Sequence, residues 1–331
     1  MPDLFMELEK RARAIDAAIV YPEGEDERIV RAAERVRDAG IATPVLLGDP
    51  DKIAEAADAA GANLSGVCSL FPKESGKLDA MVADYCARRH TVKENVAARL
   101  MKKPMFFGAM MVHMGEAAGM VAGVASATTG VLQAAGLAIG YADGVPCPSS
   151  IMLMRIPDFL GQGEKYMAFA DPAVTVDPNP EELAAMAVQS GMNFRRFIGE
   201  EPRVAFLSFS SKGSAAHAHV DKVRQAVEIA QTLGADFPMD GEFQADAAIV
   251  PRVAQKKIKV ESEVAGRANV LVFPDLNSAN IAYKLTQYLA GADAIGPVLQ
   301  GFRKPVNDLS RGATVEDIVR VTILTVLQTQ P

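Results

Sequence analysis

Between Ala18 and Gly48 the hydrophobic period changes twice, and this limits the fold more than any other feature of the chain. Ala18-Ile19-Val20-Tyr21 is a short apolar run of buried-strand type, ended by the charged turn Pro22-Glu23-Gly24-Glu25-Asp26-Glu27-Arg28. Ile29 to Ala39 carries helical spacing, and Thr43-Pro44-Val45-Leu46-Leu47-Gly48 is a second short strand. Strand, helix and strand make a βαβ unit, whose strands run parallel because the helix carries the chain back to its starting edge. The alternation returns with strands at Ser149–Met154, Met167–Asp171, Val204–Phe209 and Asn269–Phe273. Helices are expected at Glu181–Gly191, His219–Leu233, Asn280–Ala290 and Val315–Leu327. Further helical spacing covers Leu4–Ala17, Ala83–Arg89 and Val92–Met101, while Met105–Met111 reads as a strand or a helix start. This pattern predicts an α/β chain with mostly parallel sheets, whose ligands sit at the carboxyl ends of strands. No G-x-G-x-x-G opens a helix after the first strand, which disfavours an ordinary dinucleotide-binding fold.

Composition removes several function classes. A net charge of −7 gives no basic field for nucleic acid or an anionic membrane, so an anionic substrate must be held by local cations. The opening Met1-Pro2-Asp3-Leu4 has no basic run ahead of an apolar one, and no signal peptide is expected. Ala117–Ala142 comes nearest to a membrane span but is rich in Gly, Ala and Thr, and reads as buried helix and loop. Cys68, Cys86 and Cys147 are unpaired in number and spacing, which suits a reducing cytoplasm. His90, His113, His217 and His219 have no spacing that holds zinc, and the acids of Asp240-Gly241-Glu242 and Asp246 have no histidine beside them. No metal site is expected.

The chemistry-bearing groups crowd a stretch near the C-terminus, Phe273 to Asp317. Its turns carry Asp275, Asn277, Asn280, Asn307, Asp308, Ser310, Arg311 and Asp317. Thr314 followed three residues on by Asp317 has the form of a capping box that opens the helix from Val315. On that reading Thr314 caps and Arg311 pairs with an acid. On a second reading, a helix N-terminus, an arginine and a hydroxyl converge on an anion, because free N–H groups and a guanidinium both receive phosphate.

This segment resembles the C-terminal signature of the phosphate acetyltransferases, within the phosphate acetyl/butyryltransferase family. The resemblance is carried by Gly296-Pro297-Val298-Leu299-Gln300-Gly301, by Lys304-Pro305-Val306-Asn307-Asp308-Leu309-Ser310-Arg311-Gly312 and by Glu316-Asp317. It extends to the acidic turn after Tyr21, read as mainly architectural, and to Ser210-Ser211-Lys212-Gly213-Ser214, where backbone N–H groups could cradle phosphate. It implies two α/β domains with an interdomain cleft, similar to the isocitrate/isopropylmalate dehydrogenase-like fold. Residues 1–146 plus 302–331 would form one domain and residues 147–301 the other.

The resemblance further implies interconversion of acetyl-CoA plus phosphate with acetyl phosphate plus CoA, by direct transfer in a ternary complex. CoA is then a substrate, with no tightly bound cofactor, and a cytoplasmic homodimer is expected. It places the general base on Asp317, charge stabilisation on Arg311 and a supporting hydroxyl on Ser310. Tyr283 and Lys284 are candidates for phosphate contact, and Arg88 or Arg89 for CoA. Ser126, Thr128 and Thr129 offer hydroxyls to a phosphate. The chain departs from the family where an aspartate appears as Gly130 and an arginine as Gln133, so a fixed charge is lost there. That departure leaves a longer acyl group open. A silent binding module and a dehydrogenase on the related fold stay open as well.

Overall fold

The predicted βαβ crossover between Ala18 and Gly48 is present, because its two short apolar runs pair in parallel and an amphipathic helix covers them. The computed structural model describes residues 4–330. The chain begins α1 (Leu4–Arg13), β1 (Ala18–Tyr21), α2 (Glu27–Asp38), β2 (Thr43–Leu47), α3 (Pro50–Ala60) and β3 (Cys68–Leu70). It continues α4 (Leu78–Arg88), α5 (Glu94–Met101), α6 (Pro104–Met114), β4 (Gly119–Ala122) and α7 (Thr128–Ala138). Next come β5 (Ser149–Ile156), β6 (Lys165–Ala170), α8 (Pro180–Ile198), β7 (Val204–Leu207), α9 (Ala218–Thr232) and β8 (Met239–Phe243). The remainder is α10 (Ala245–Ile249), α11 (Pro251–Lys257), β9 (Val270–Val272), α12 (Leu276–Leu289), β10 (Asp293–Gln300), β11 (Val306–Asp308) and α13 (Val315–Gln328).

Two compact units result: one runs to Ala142 and resumes at Phe302, and the other is Asp143–Gly301. The first holds a five-stranded sheet in the order β11-β4-β1-β2-β3, parallel throughout. The second holds six strands in the order β10-β5-β6-β9-β7-β8, antiparallel at the β10-β5-β6 end and parallel beyond it. The expected mixed α/β class with mostly parallel sheets is therefore borne out. No helix among the described residues is long and apolar enough to cross a membrane.

Local sequence explains the helices around the first sheet. Asp26 caps α2 by accepting from Arg28 N, and Ile29, Val30, Ala33 and Val36 bury one face of it. Helix α6 is apolar on all sides and is buried from Phe106 to Val112, so the stretch near Met105 is an interior helix and not a strand. Helix α13 buries Ile318, Val321, Thr322 and Thr325, and the two threonine hydroxyls bond back to the carbonyls of Ile318 and Val321. That pairing lets threonine sit in the core without an unmet donor.

Four strands depart from the sequence reading. One of them is β11, a buried strand that holds Asn307 and Asp308, which the sequence places in turns. Gly119–Ala122 lies inside a run read as helix and loop, Met239–Phe243 inside a run read for its acids, and Asp293–Gln300 across the turn signals Gly296-Pro297. A short, fully buried strand shows no alternation, and β10 passes Gly296-Pro297 with a register shift between Ile295 and Val298.

Candidate active site

Parallel strands present their carboxyl ends on one edge, and in the first unit the loops there carry the predicted groups. The turn after β1 supplies Glu23, Asp26 and Arg28, the loop after β4 supplies Gly123 to Ala127, and the loop after β11 supplies Leu309 to Thr314. These loops are stitched together. The Glu23 carboxylate accepts the N–H groups of Gly123 at 2.7 Å, Val124 at 2.9 Å and Ala125 at 3.1 Å. Arg28 donates to the carbonyls of Val124 at 3.0 Å, Arg311 at 2.8 Å and Ala313 at 3.2 Å, and pairs with Asp26. Burial acts to raise the Asp26 carboxyl, but its hydrogen bonds with Arg28 outweigh this and hold it below the usual range. One guanidinium thus fixes the backbone on both sides of the loop edge.

Asp308 ends β11 almost fully buried, and Thr128 Oγ1 donates to its Oδ2. Its Oδ1 is buried without a hydrogen-bond partner among the described residues. Burial pushes this carboxyl up to about 6, against the Thr128 hydrogen bond and with the charge of Glu23 adding to the rise. Leu309 N donates to Ala122 O at 2.7 Å, which brings β11 hard against the turn at Gly123. A Cβ on Gly123 would lie 2.4 Å from Asp308 Oδ1 and 2.6 Å from Leu309 N, and its φ of +117° suits glycine alone. Gly123→Ala is expected to cost about 3 kcal/mol or more of stability, read as the shift of a urea unfolding curve. An unchanged midpoint would show that the two loops are not packed this way.

Ser310 and Arg311 lie in the exposed turn between β11 and α13. Ser310 Oγ accepts Gly312 N at 3.2 Å, and the Arg311 guanidinium has no protein partner among the described residues. Asp317 stands in a full capping box: its Oδ2 accepts Thr314 N at 2.9 Å and Thr314 Oγ1 at 2.8 Å. The capping reading and the chemical reading of the sequence both fit this geometry, since Asp317 is exposed and only Oδ2 is used. Helix α7 begins beside this edge without a side-chain cap at Ala127, and the N–H groups of Thr128 and Thr129 have no protein acceptor among the described residues. Ser126 and Thr129 add hydroxyls there. Open N–H groups at a helix start, hydroxyls and an unpaired guanidinium form a set of donors suited to a tetrahedral anion.

Three predicted residues of the first unit lie further along α7 or at its far end. Gln133 is exposed about 7 Å further along α7. Arg88 donates to Ala138 O and Asp84, and Arg89 to the carbonyls of Gly136 and Leu137, so both close the far end of α7. Tyr283 and Lys284 belong to α12 of the second unit, where the lysine Nζ lies 4.8 Å from the ring centre. The Ser210–Ser214 loop does not offer its N–H groups to solvent as a phosphate cradle would. Ser210 Oγ and Gly213 N both donate to Glu242, and Lys212 bonds Asp240 and the Gly241 carbonyl, so the loop is filled by the protein's own carboxylates. What the sequence reading missed is the buried, half-partnered state of Asp308 and the stitching by Glu23 and Arg28. Their one signal was position, immediately after apolar runs that end at the loop edge.

A family model described as phosphate acetyl/butaryl transferase matches residues 3–326. The chain is 45% identical to a phosphate acetyltransferase of Thermoanaerobacterium thermosaccharolyticum, over 97% of this chain and 98% of that one. It superposes on the crystal structure of a phosphotransacetylase from Streptococcus pyogenes with a TM-score of 0.92 at 39% identity, covering 98% of each chain. A branched-chain phosphotransacylase from Enterococcus faecalis shares the fold, with a TM-score of 0.66 at 15% identity over 95% of this chain and 99% of that one.

Proposed function

Because the chain belongs to the phosphate acetyl/butaryl transferase family, we propose that it interconverts acetyl-CoA and phosphate with acetyl phosphate and CoA. The observation that carries this reading is the unpaired Arg311 guanidinium, held by its own carbonyl to Arg28 beside the uncapped start of α7. In this reading phosphate oxygens meet Arg311, the Thr128 and Thr129 N–H groups and the nearby hydroxyls. Asp317 takes the proton from the CoA thiol, whose ordinary pKa near ~8.5 leaves little thiolate at neutral pH. The thiolate sulfur attacks the acetyl carbonyl, the C–O bond to phosphate breaks, and Arg311 and Ser310 support the charge on the departing oxygens. Transfer is direct, within a ternary complex. CoA enters as a substrate and no tightly held cofactor takes part. The surroundings of the reaction are the cytoplasm, and Arg88, Arg89, Gln133, Tyr283 and Lys284 remain candidate substrate contacts.

CoA-dependent thioester formation from acetyl phosphate tests this, with propionyl and butyryl phosphate alongside. Acetyl transfer at least about tenfold more efficient than butyryl transfer is expected, the size of discrimination that a pocket makes between small apolar groups. One observation favours a second reading with a longer acyl group: a Cβ on Gly130 would meet nothing within 4 Å, so space is open where α7 begins. A preference for butyryl phosphate would support that reading. No transfer with any donor would reject both.

The functional form is a homodimer in this proposal. Helix α12 exposes Ile281, Leu285, Tyr288 and Leu289 on one stripe, with Tyr288 81% and Leu289 82% exposed. Apolar side chains at this spacing, left open to water, fit a second copy of the same chain. Leu285→Glu with Leu289→Glu is expected to halve the mass seen by sedimentation at micromolar concentration. An unchanged dimer would move the interface elsewhere.

A further inference from the structure

We propose that the proton carried by Asp308 decides whether the Thr128 hydroxyl can donate to a bound oxyanion, so that a tetrahedral anion binding at the start of α7 takes up one proton. This rests on the reading that phosphate is received there. A threonine hydroxyl has one O–H donor and two lone pairs. Here the donor is committed, since Thr128 Oγ1 donates to Asp308 Oδ2. An ionised carboxylate only accepts, so as long as Asp308 is charged Thr128 meets a ligand with lone pairs, which repel phosphate oxygens. A protonated Asp308 can donate to Thr128 Oγ1 instead. The hydrogen bond then reverses and the threonine O–H turns outward, where Thr128 is partly exposed beside two open backbone N–H groups.

The site around Asp308 is built to hold that proton within reach of neutral pH. Asp308 is 4% exposed and its Oδ1 has no partner among the described residues, so its charge is poorly compensated. Glu23, from the turn after β1, adds negative charge nearby. Arg28 of α2 is turned to the carbonyls of Val124, Arg311 and Ala313 and to Asp26, and bonds no oxygen of Asp308. The first turn of α7 and the whole of β4 bring no ionisable side chain. On α13, Glu316 pairs with Arg35 and Arg320, and Asp317 with Thr314. Burial and the charge of Glu23 favour the neutral acid over the opposing hydrogen bonds of Thr128 and the Leu309 N–H, and the carboxyl is pushed up to about 6.

Sulfate is the probe, because it stays a dianion where phosphate titrates. Its Kd would be measured by calorimetry between about pH 5.5 and 8, in buffers of different ionisation heat. For the unaltered protein the affinity is expected to fall about tenfold per pH unit above the Asp308 titration, with close to one proton taken up per sulfate. Asp308→Asn keeps a donor toward Thr128 at every pH and should flatten the slope. Thr128→Val removes the switched hydroxyl at a partly exposed position and should flatten the slope at weaker affinity. Thr128→Ser should keep it. A slope unchanged in both Asp308→Asn and Thr128→Val overturns the proposal. Competition of sulfate against phosphate in the acetyl-CoA reaction separates the two levels. Sulfate that binds without competing overturns the phosphate reading together with the switch, whereas competing sulfate with the slope intact in both variants overturns the switch alone.

Discussion

Arg311→Gln is expected to lower turnover by about 10²- to 10³-fold, the loss seen when one preorganised donor is taken from a developing negative charge. The physical reason is that the Arg311 guanidinium is exposed and neutralises no carboxylate among the described residues. Only its carbonyl is used, by Arg28 at 2.8 Å. Glutamine therefore removes the cation and leaves the turn anchored. The stability change should stay within about 0.5 kcal/mol, as for most exposed substitutions. Arg311→Lys separates charge from geometry. A lysine restores a point charge but not the paired donors that fit two phosphate oxygens, so it should recover part of the loss. Steady-state turnover and a urea unfolding curve on the same preparations decide the matter. Turnover within about threefold of the original in Arg311→Gln would remove Arg311 from the chemistry.

The architecture was legible because it rests on period. Ala18–Tyr21 and Thr43–Leu47 read as strands around an amphipathic helix, and they pair in parallel from Ala18–Thr43 to Tyr21–Leu46. What failed were segments in which burial erases period. Gly119–Ala122 is buried at all four positions, so its strand looks the same as a small-residue helix. The candidate site was legible where a residue's chemistry is unusual for its place, as with an arginine and hydroxyl before a capped helix. It was not legible where a residue's role comes from a partner distant in sequence. Glu23 acts through three N–H groups about a hundred residues on, and Asp308 through Thr128, 180 residues earlier. Nothing in a charged turn says which loop will close over it. The Ser210–Ser214 loop shows the reverse error. Its composition suits phosphate, yet Glu242 brings a carboxylate to the same donors, and an internal anion satisfies them as an external one would.

Asp317→Asn should reduce turnover at least about 100-fold while leaving the helix start in place, and this pairing of outcomes is what tells a base from a cap. Asp317 already holds the start of α13 together, because its Oδ2 accepts both the N–H and the hydroxyl of Thr314, and Thr314 Oγ1 accepts Asp317 N at 3.2 Å. An asparagine carbonyl oxygen can accept the same two donors, so Asp317→Asn keeps the box and deletes only the ability to take a proton. Thr314→Ala does the opposite. It breaks the cap, which costs about 1 kcal/mol, and leaves the carboxylate. If Asp317 is the base, activity falls in Asp317→Asn and largely survives in Thr314→Ala, while stability falls only in Thr314→Ala. If Asp317 merely caps, activity follows stability in both, and Asp317→Asn turns over at close to the original rate. The second result would return the proton to a different acceptor at this edge. Asp308 could not take it directly from the thiol, because its Oδ1 is closed off from solvent and its Oδ2 lies behind Thr128. The thiol would then have to pass its proton to the departing phosphate itself, and turnover would follow the ionisation of phosphate with pH instead of that of any carboxylate.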